Sequence, residues 1–78
     1  MIKKTDRILI TFFTTTAAMK MENICHSIGA DGRIIPVPGF ISADCGLGWC
    51  AKPESETELL AIMKDNKIDY QAIHRCMI

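Results

Sequence analysis

The segment ISADCGLGWC, residues 41–50, holds two of the four cysteines of the chain among glycines and small side chains. A cysteine thiolate is a nucleophile, and it reacts only where an incoming group can reach the sulfur. Cys45 is followed by Gly46, which permits a positive φ or a close approach of another group, and is preceded by the small residues Ser42 and Ala43. The segment therefore predicts a loop that exposes the Cys45 thiol.

Cys50 raises the alternative of a redox pair with Cys45. Five residues of extended chain span about 16 Å, whereas the Cα atoms of a disulfide lie within about 7 Å of each other. A bond would require the chain to turn back at Gly46 and Gly48, and the C-x-x-C spacing that favours dithiol chemistry is absent. Cys50 is thus a candidate redox partner only if such a turn forms.

The remaining cysteines and both histidines are the other candidates for metal ligands. Their spacing matches no usual zinc or iron–sulfur pattern, nor a recognisable cysteine–histidine catalytic dyad; they are Cys25, His26, His74 and Cys76. Because free cysteine behaves as a small buried hydrophobe, Cys25 and Cys76 are expected to be structural. We expect no metal and no other cofactor.

Charge and hydropathy restrict the class of protein. The nine Lys and Arg residues equal the nine Asp and Glu residues, which argues against a nucleic-acid partner. No segment approaches the roughly 20 apolar residues of a membrane-spanning helix, and Asp6 and Arg7 interrupt the approach to the short N-terminal apolar run. We expect no membrane association, and a single domain over residues 1–78 in the cytoplasm, where cysteines stay reduced.

The hydrophobic pattern predicts four strands and two helices. RILITFF at residues 7–13 is typical of a covered strand, and the threonines Thr14 to Thr16 offer caps for a helix that Gly29 ends. A capping box at Ser55–Glu58 predicts the second helix, with Asp65 and Asn66 as a left-handed stop. The other predicted strands cover residues 32–38, 47–51 and 69–78, and Pro36 places the first of these at a sheet edge.

Apolar side chains recur every three or four residues on both predicted helices, which predicts an inward stripe on each. The stripes comprise Ala17, Met21, Ile24, Cys25 and Ile28 in the first helix, and Leu59, Ile62 and Met63 in the second. The order β-α-β-β-α-β predicts an α+β, ferredoxin-like sandwich: a four-stranded antiparallel sheet with both helices on one face.

In this topology the loop that bears Cys45 should lie beside residues 14–17, at the N-terminus of the first helix. N–H groups and the helix dipole at a helix N-terminus can stabilise a thiolate, whereas the carboxylate of Asp44 opposes a second negative charge. Trp49 is expected to be either a hydrophobic anchor or part of an oligomer interface.

The segments IIPVPGFISADCGLGW and, before it, LITFFTTTAAMKMENICHSIG resemble a small bacterial family of unknown function described as selenium/sulfur carrier-like. The resemblance covers about residues 7 to 77, and its most specific part is P-V-P followed by I-S-A-x-C-G-L. It implies a βαββαβ domain, an association with selenium or sulfur metabolism, and Cys45 as the carrier thiol.

The leading hypothesis is a sulfur or selenium carrier, an accessory protein rather than a stand-alone enzyme. Cys45 would receive the atom from a donor such as a cysteine desulfurase or selenocysteine lyase and pass it to an acceptor protein. In this hypothesis Gly46 gives access, Ser42 and the N–H groups of Thr15 and Thr16 stabilise the anion, and a docking surface is bordered by Leu47 with Trp49.

An alternative is a regulatory or assembly module in which the cysteine loop is only structural. A 78-residue chain buries a thin core, so a homo-oligomer that pairs an apolar sheet face would bury more apolar area. A third hypothesis is a metal or redox module.

Overall fold

The computed structural model describes residues 5–41 and 44–77. Four strands, two α-helices and one 3-10 turn follow each other along the chain. They are β1 (Asp6–Thr11), α1 (Thr15–Ile28), β2 (Arg33–Pro36), β3 (Leu47–Ala51), the 3-10 turn (Pro53–Ser55), α2 (Glu56–Asp65) and β4 (Ala72–Met77). The β-α-β-β-α-β order is confirmed, and β3 has the bounds that its sequence predicted.

The four strands form one antiparallel sheet in the order β2-β3-β1-β4. Ile10 of β1 lies opposite Trp49 of β3 on one side and Ile73 of β4 on the other. The strand order and the two helices confirm the α+β, ferredoxin-like architecture. The position of β2 at the edge is also confirmed, and it fits Pro36, which has no N–H for a further ladder.

The core lies between the helices and one face of the sheet. Its buried side chains come from β1, β3, both helices and two connections, to which Phe12 and Ile68 belong: Ile8, Ile10, Phe12, Ala18, Met21, Cys25, Trp49, Ala51, Leu59, Ile62, Met63 and Ile68. The α2 stripe is confirmed, whereas the α1 stripe is centred on Ala18, Met21 and Cys25. Ile28, the last residue of α1, lies beside this stripe and is 58% exposed, so its predicted burial was wrong.

The caps of α1 are as predicted. The Thr14 hydroxyl oxygen accepts a hydrogen bond from the Ala17 N–H at 3.1 Å, and Gly29 ends the helix with φ of 71°. At α2, however, the predicted capping box was wrong. Ser55 has helical dihedral angles inside the 3-10 turn, and its hydroxyl donates to the Asp31 carboxylate at 3.3 Å.

Two other ends differ from the sequence prediction. The left-handed residue after α2 is Lys67, with φ of 54°, rather than Asn66. β1 ends at Thr11, and β4 begins at Ala72, because the residues between α2 and β4 follow an irregular path in which Ile68 enters the core. β1 therefore ends earlier, and β4 begins later, than their apolar runs suggested.

Trp49 is a core anchor. It is fully buried, and its indole Nε1 donates to the Asp31 carbonyl oxygen at 3.0 Å. Gly32 makes room for it: φ is 119°, and a Cβ at this position would lie 2.7 Å from both the indole Cε2 and the Cys50 carbonyl oxygen. The anchor alternative is confirmed, and Trp49 does not border a docking surface.

Neither helix within the described ranges has the length and apolar character needed to cross a bilayer.

Candidate functional site

Cys45 lies at the end of the sheet where β1 ends and where β3 and β4 begin, which we call the Cys45 edge. Thr11, the last residue of β1, pairs with Gly48 of β3 and with Ala72 of β4. Cys45 precedes β3 by two residues, so the loop extends beyond this edge. The Val37 N–H donates to the Gly46 carbonyl oxygen at 2.9 Å, which continues the β2–β3 ladder up to the residue after Cys45.

The Cys45 side chain is half-buried and packs against the core cluster. Gly46 has φ of 75°, as its position in the sequence suggested, and this left-handed residue turns the Leu47 backbone towards the sulfur. The Leu47 N–H donates to Cys45 Sγ at 3.4 Å, and the thiol donates to the Leu47 carbonyl oxygen at 3.4 Å. A Cβ on Gly46 would have no atom within 4 Å, so the space beside this turn is open.

Asp44, the neighbour of Cys45, is held by Gln71 from the connection between α2 and β4. The Asp44 N–H donates to Gln71 Oε1 at 3.2 Å, and Gln71 Nε2 donates to Asp44 Oδ1 at 3.4 Å. The Gln71 backbone N–H donates to the Thr11 carbonyl oxygen at 2.7 Å. The sequence analysis missed Gln71, because no local pattern links residues that lie 27 positions apart.

Thr15 and Thr16 form the first turn of α1, which starts from the same edge of the sheet. Their side chains are exposed and line a shallow depression of about 600 Å³ together with Met19, Lys20, Asn23 and Ile24. Within the described ranges, no hydrogen bond joins Cys45 Sγ to either threonine. Ser42, the other predicted anion-binding residue, lies outside the described residues.

Cys50 is not brought to Cys45. Trp49 and Ala51 join the core on the helix side, so Cys50 between them faces the other side of the sheet, where it pairs with Leu9 and Arg33. The extended run from Leu47 to Cys50 alone spans about 10 Å, and the turn back that a disulfide needs is absent. All four cysteines are free thiols.

Desolvation raises the pKa of each of the other three thiols. Desolvation, helped by the charge of Glu58, raises the pKa of the fully buried Cys25 to about 11. Desolvation also raises the pKa of Cys50, opposed in part by Arg7 and Arg33. The pKa of Cys76 is raised by desolvation, by Cys50 and by Asp6. These three thiols are consequently protonated at neutral pH and poor nucleophiles.

The histidines stay apart from Cys45. His26 is exposed in the last turn of α1, and His74 lies in β4 opposite Leu9. His74 Nε2 is buried without a hydrogen-bond partner in the part of the chain that the structure describes. Across the same residues, no group of three or more His, Cys, Asp or Glu side chains is arranged to hold a metal ion.

Three exposed aromatic side chains surround the Cys45 edge, and we call them the aromatic rim: Phe13, Phe40 and Tyr70. They are 52%, 72% and 39% exposed and belong to the three connections that meet at this edge. The sequence analysis missed them as a surface and placed Phe13 inside a strand. Aromatic residues outside regular strands, next to turn residues such as Gly39, are the signal that could have identified them.

Comparison with known proteins gives one family. No curated protein and no solved structure matches this chain. A family model described as "Putative Se/S carrier protein-like" matches residues 7–75, which is nearly the whole sequence and includes Cys45, Gly46 and Gln71. The chain therefore belongs to the Se/S carrier protein-like family.

Proposed function

We propose that this protein is a sulfur or selenium carrier and that Cys45 is the carrier thiol. The observation that carries the proposal is the position of Cys45: a partly buried residue beside a left-handed turn at the end of the sheet, with the Leu47 N–H directed at its sulfur. Family membership supports the same chemistry. The other three thiols are disfavoured, because burial raises the pKa of each.

The transfer step needs no external oxidant. The Cys45 thiolate attacks the outer sulfur of a donor persulfide; the new sulfur–sulfur bond forms as the donor's bond breaks, and the donor cysteine leaves as a thiolate. An acceptor nucleophile then attacks the outer sulfur on Cys45 and releases the Cys45 thiolate. With a selenium-bearing donor the transferred atom is selenium and the electron count is the same.

The surroundings of Cys45 fit this exchange. The open space beside Gly46 admits the incoming group, and the Leu47 N–H can stay bonded to an anionic sulfur. In the same proposal Ser42 and the N–H groups of Thr15 and Thr16 bind the outer atom of the adduct.

Partners would dock on the aromatic rim. A donor cysteine must come into bonding distance of Cys45 Sγ, so its protein must also cover the residues around this edge. Exposed aromatic side chains are enriched in binding surfaces, and here they lie in the connections at the end of the sheet that carries Cys45. We propose a cysteine desulfurase or selenocysteine lyase as donor, and a separate acceptor protein, in the reducing cytoplasm.

The assembly alternative receives less support from the sheet. It requires an apolar face for subunit pairing, but the face turned away from the helices is mixed, because it carries Arg7 and Arg33 beside Leu9 and Cys50. Two copies pairing through this face would have to bury these guanidinium groups, which is costly unless each gains a partner. A carrier with an accessible loop thiol fits the described residues better.

The decisive experiment measures intact mass after incubation with a cysteine desulfurase and cysteine. The parent and Cys76→Ser, which alters the other half-buried thiol, should each gain sulfur that a reductant removes. Cys45→Ser should gain none, because the nucleophile is lost. If Cys45→Ser acquires as much reducible sulfur as the parent, Cys45 is not the carrier thiol.

A further inference from the structure

We infer that Gln71 is a positioning residue that holds the Cys45 turn in one conformation through Asp44. The importance of this role for transfer rests on the proposed function, but the contact itself exists in the free protein. Gln71 lies outside the loop that bears Cys45 and, among the described residues, makes no hydrogen bond to the Cys45 sulfur. It acts through two hydrogen bonds to the residue next to Cys45.

The first argument is the distribution of anchors around the turn. Gly46 is fixed from one side by the Val37 N–H, and Asp44 is fixed from the other side by Gln71. Cys45 is therefore held between two anchored residues. The Val37 anchor is backbone to backbone and any non-proline residue could supply it, whereas the Gln71 anchor depends on a side chain.

The second argument is that Gln71 starts from a fixed position. Its backbone N–H donates to the Thr11 carbonyl oxygen at 2.7 Å, at the end of β1 in the middle of the sheet. The side chain thus links the end of a central strand to the loop. Substitution of Gln71 by a residue that cannot make both side-chain hydrogen bonds to Asp44 would release Asp44 but leave the sheet intact.

The third argument is charge. Asp44 places a carboxylate next to the thiol, and a free carboxylate can approach Cys45 and oppose a thiolate or an anionic adduct. Gln71 Nε2 donates to Asp44 Oδ1 at 3.4 Å and so occupies this carboxylate on the side of the α2–β4 connection. The amide of Gln71 is suited to both tasks, because it accepts from the Asp44 N–H with one atom and donates to the carboxylate with the other.

The test changes the side-chain groups of Gln71 and Asp44, first one at a time and then together. Gln71→Glu keeps an acceptor for the N–H of residue 44 but sets a second carboxylate against Asp44, so the contact should open. Adding Asp44→Asn supplies an amide donor to the new carboxylate, so the double variant should restore the contact. Asp44→Asn alone can still pair with Gln71, and Asp69→Ala alters a neighbouring exposed residue of the same connection; these two are the controls.

The first readout is amide hydrogen exchange at Asp44 and Leu47 in the free protein. Loss of a hydrogen bond of ordinary strength predicts about a tenfold loss of protection in Gln71→Glu, recovered in the double variant and absent in both controls. Unchanged protection in Gln71→Glu, or no recovery in the double variant, would overturn the inference. If Gln71→Glu lowers the melting temperature, Gln71→Ala provides the same comparison without the added charge.

The second readout is the rate of sulfur loading from a desulfurase. It should fall about tenfold in Gln71→Glu and recover in the double variant, in step with the amide protection. Protection that follows this pattern while Cys45 acquires no sulfur in any variant would preserve the positioning role and reject the carrier function. Loading that falls without recovery in the double variant would reject positioning through Asp44.

Discussion

Cys45 and Cys50 lie five positions apart in one glycine-rich segment, and the structure gives them opposite environments. Cys45 belongs to a turn at the end of the sheet, where its sulfur contacts backbone groups of Leu47 and the residue is only partly buried. Cys50 is inside β3, 8% exposed, on the face turned away from the helices. One thiol of the segment is thus partly exposed at the end of the sheet, and the other is buried inside a strand.

The difference shows that a neighbouring glycine does not by itself decide whether a cysteine is exposed. Gly46 has a positive φ and turns the chain, whereas Gly48 is part of an extended strand that buries the next residues. One backbone angle therefore separates an accessible cysteine from a structural one. The four predictions below test this separation.

The largest expected effect is on alkylation rates at neutral pH. Cys45 should react with iodoacetamide at least about a hundredfold faster than Cys25, whose pKa of about 11 leaves little thiolate and whose side chain is fully buried. Peptide mass mapping over time measures each site, and Cys50 should be slow for the same reasons. In urea the four rates should converge; slow labelling of Cys45 in the folded protein would erase the distinction.

Substitution of a buried aromatic residue should affect the free energy of unfolding much more than substitution of an exposed one. Trp49→Ala removes a fully buried side chain and should lower the free energy of unfolding by about 3 to 5 kcal/mol. Phe40→Ala, at 72% exposure, should change it by no more than about 0.5 kcal/mol. Urea denaturation compares them. Equal losses would show that Phe40 is part of the core rather than the rim.

The buried thiol should also reduce stability at alkaline pH. The pKa of Cys25 rises from 9.0 to about 11 on folding. The contribution of the protonated thiol to the free energy of unfolding is therefore complete below pH 9 and is lost as pH rises towards 11. The loss should be on the order of 2 to 3 kcal/mol. Between pH 8 and pH 11, the free energy of unfolding measured by denaturation should fall less steeply with pH for Cys25→Ala than for the parent. Parallel curves would show that burial of Cys25 does not shift its titration.

The smallest effect concerns the turn itself. Gly46→Ala should cost about 1 to 2 kcal/mol, because φ is 75° although no atom lies within 4 Å of the added Cβ. Gly46→Asn should cost less, since asparagine tolerates the left-handed region. Gly39→Ala is the matched control: it also meets no atom within 4 Å, has no positive φ and should be nearly neutral. Thermal denaturation distinguishes these outcomes.

Local signals in the sequence identified much of the frame. The Thr14 cap, the Gly29 stop, the bounds of β3 and the edge position of β2 follow from short patterns, because each depends on dihedral angles or hydrogen bonds among neighbouring residues. Predictions failed where a distant group competed. Ser55 did not form its capping box, since its hydroxyl bonds to Asp31, 24 positions earlier.

The sequence by itself determined the βαββαβ order and the family, through periodicity, turn residues and a specific motif, and it predicted Cys45 as the carrier thiol. Only the tertiary structure decided that Cys50 faces away from the helices, that Trp49 is buried, and that Gln71 holds Asp44 across 27 positions. The reason is physical. Local patterns specify dihedral angles, whereas exposure and partners depend on which distant strands the folded sheet brings together.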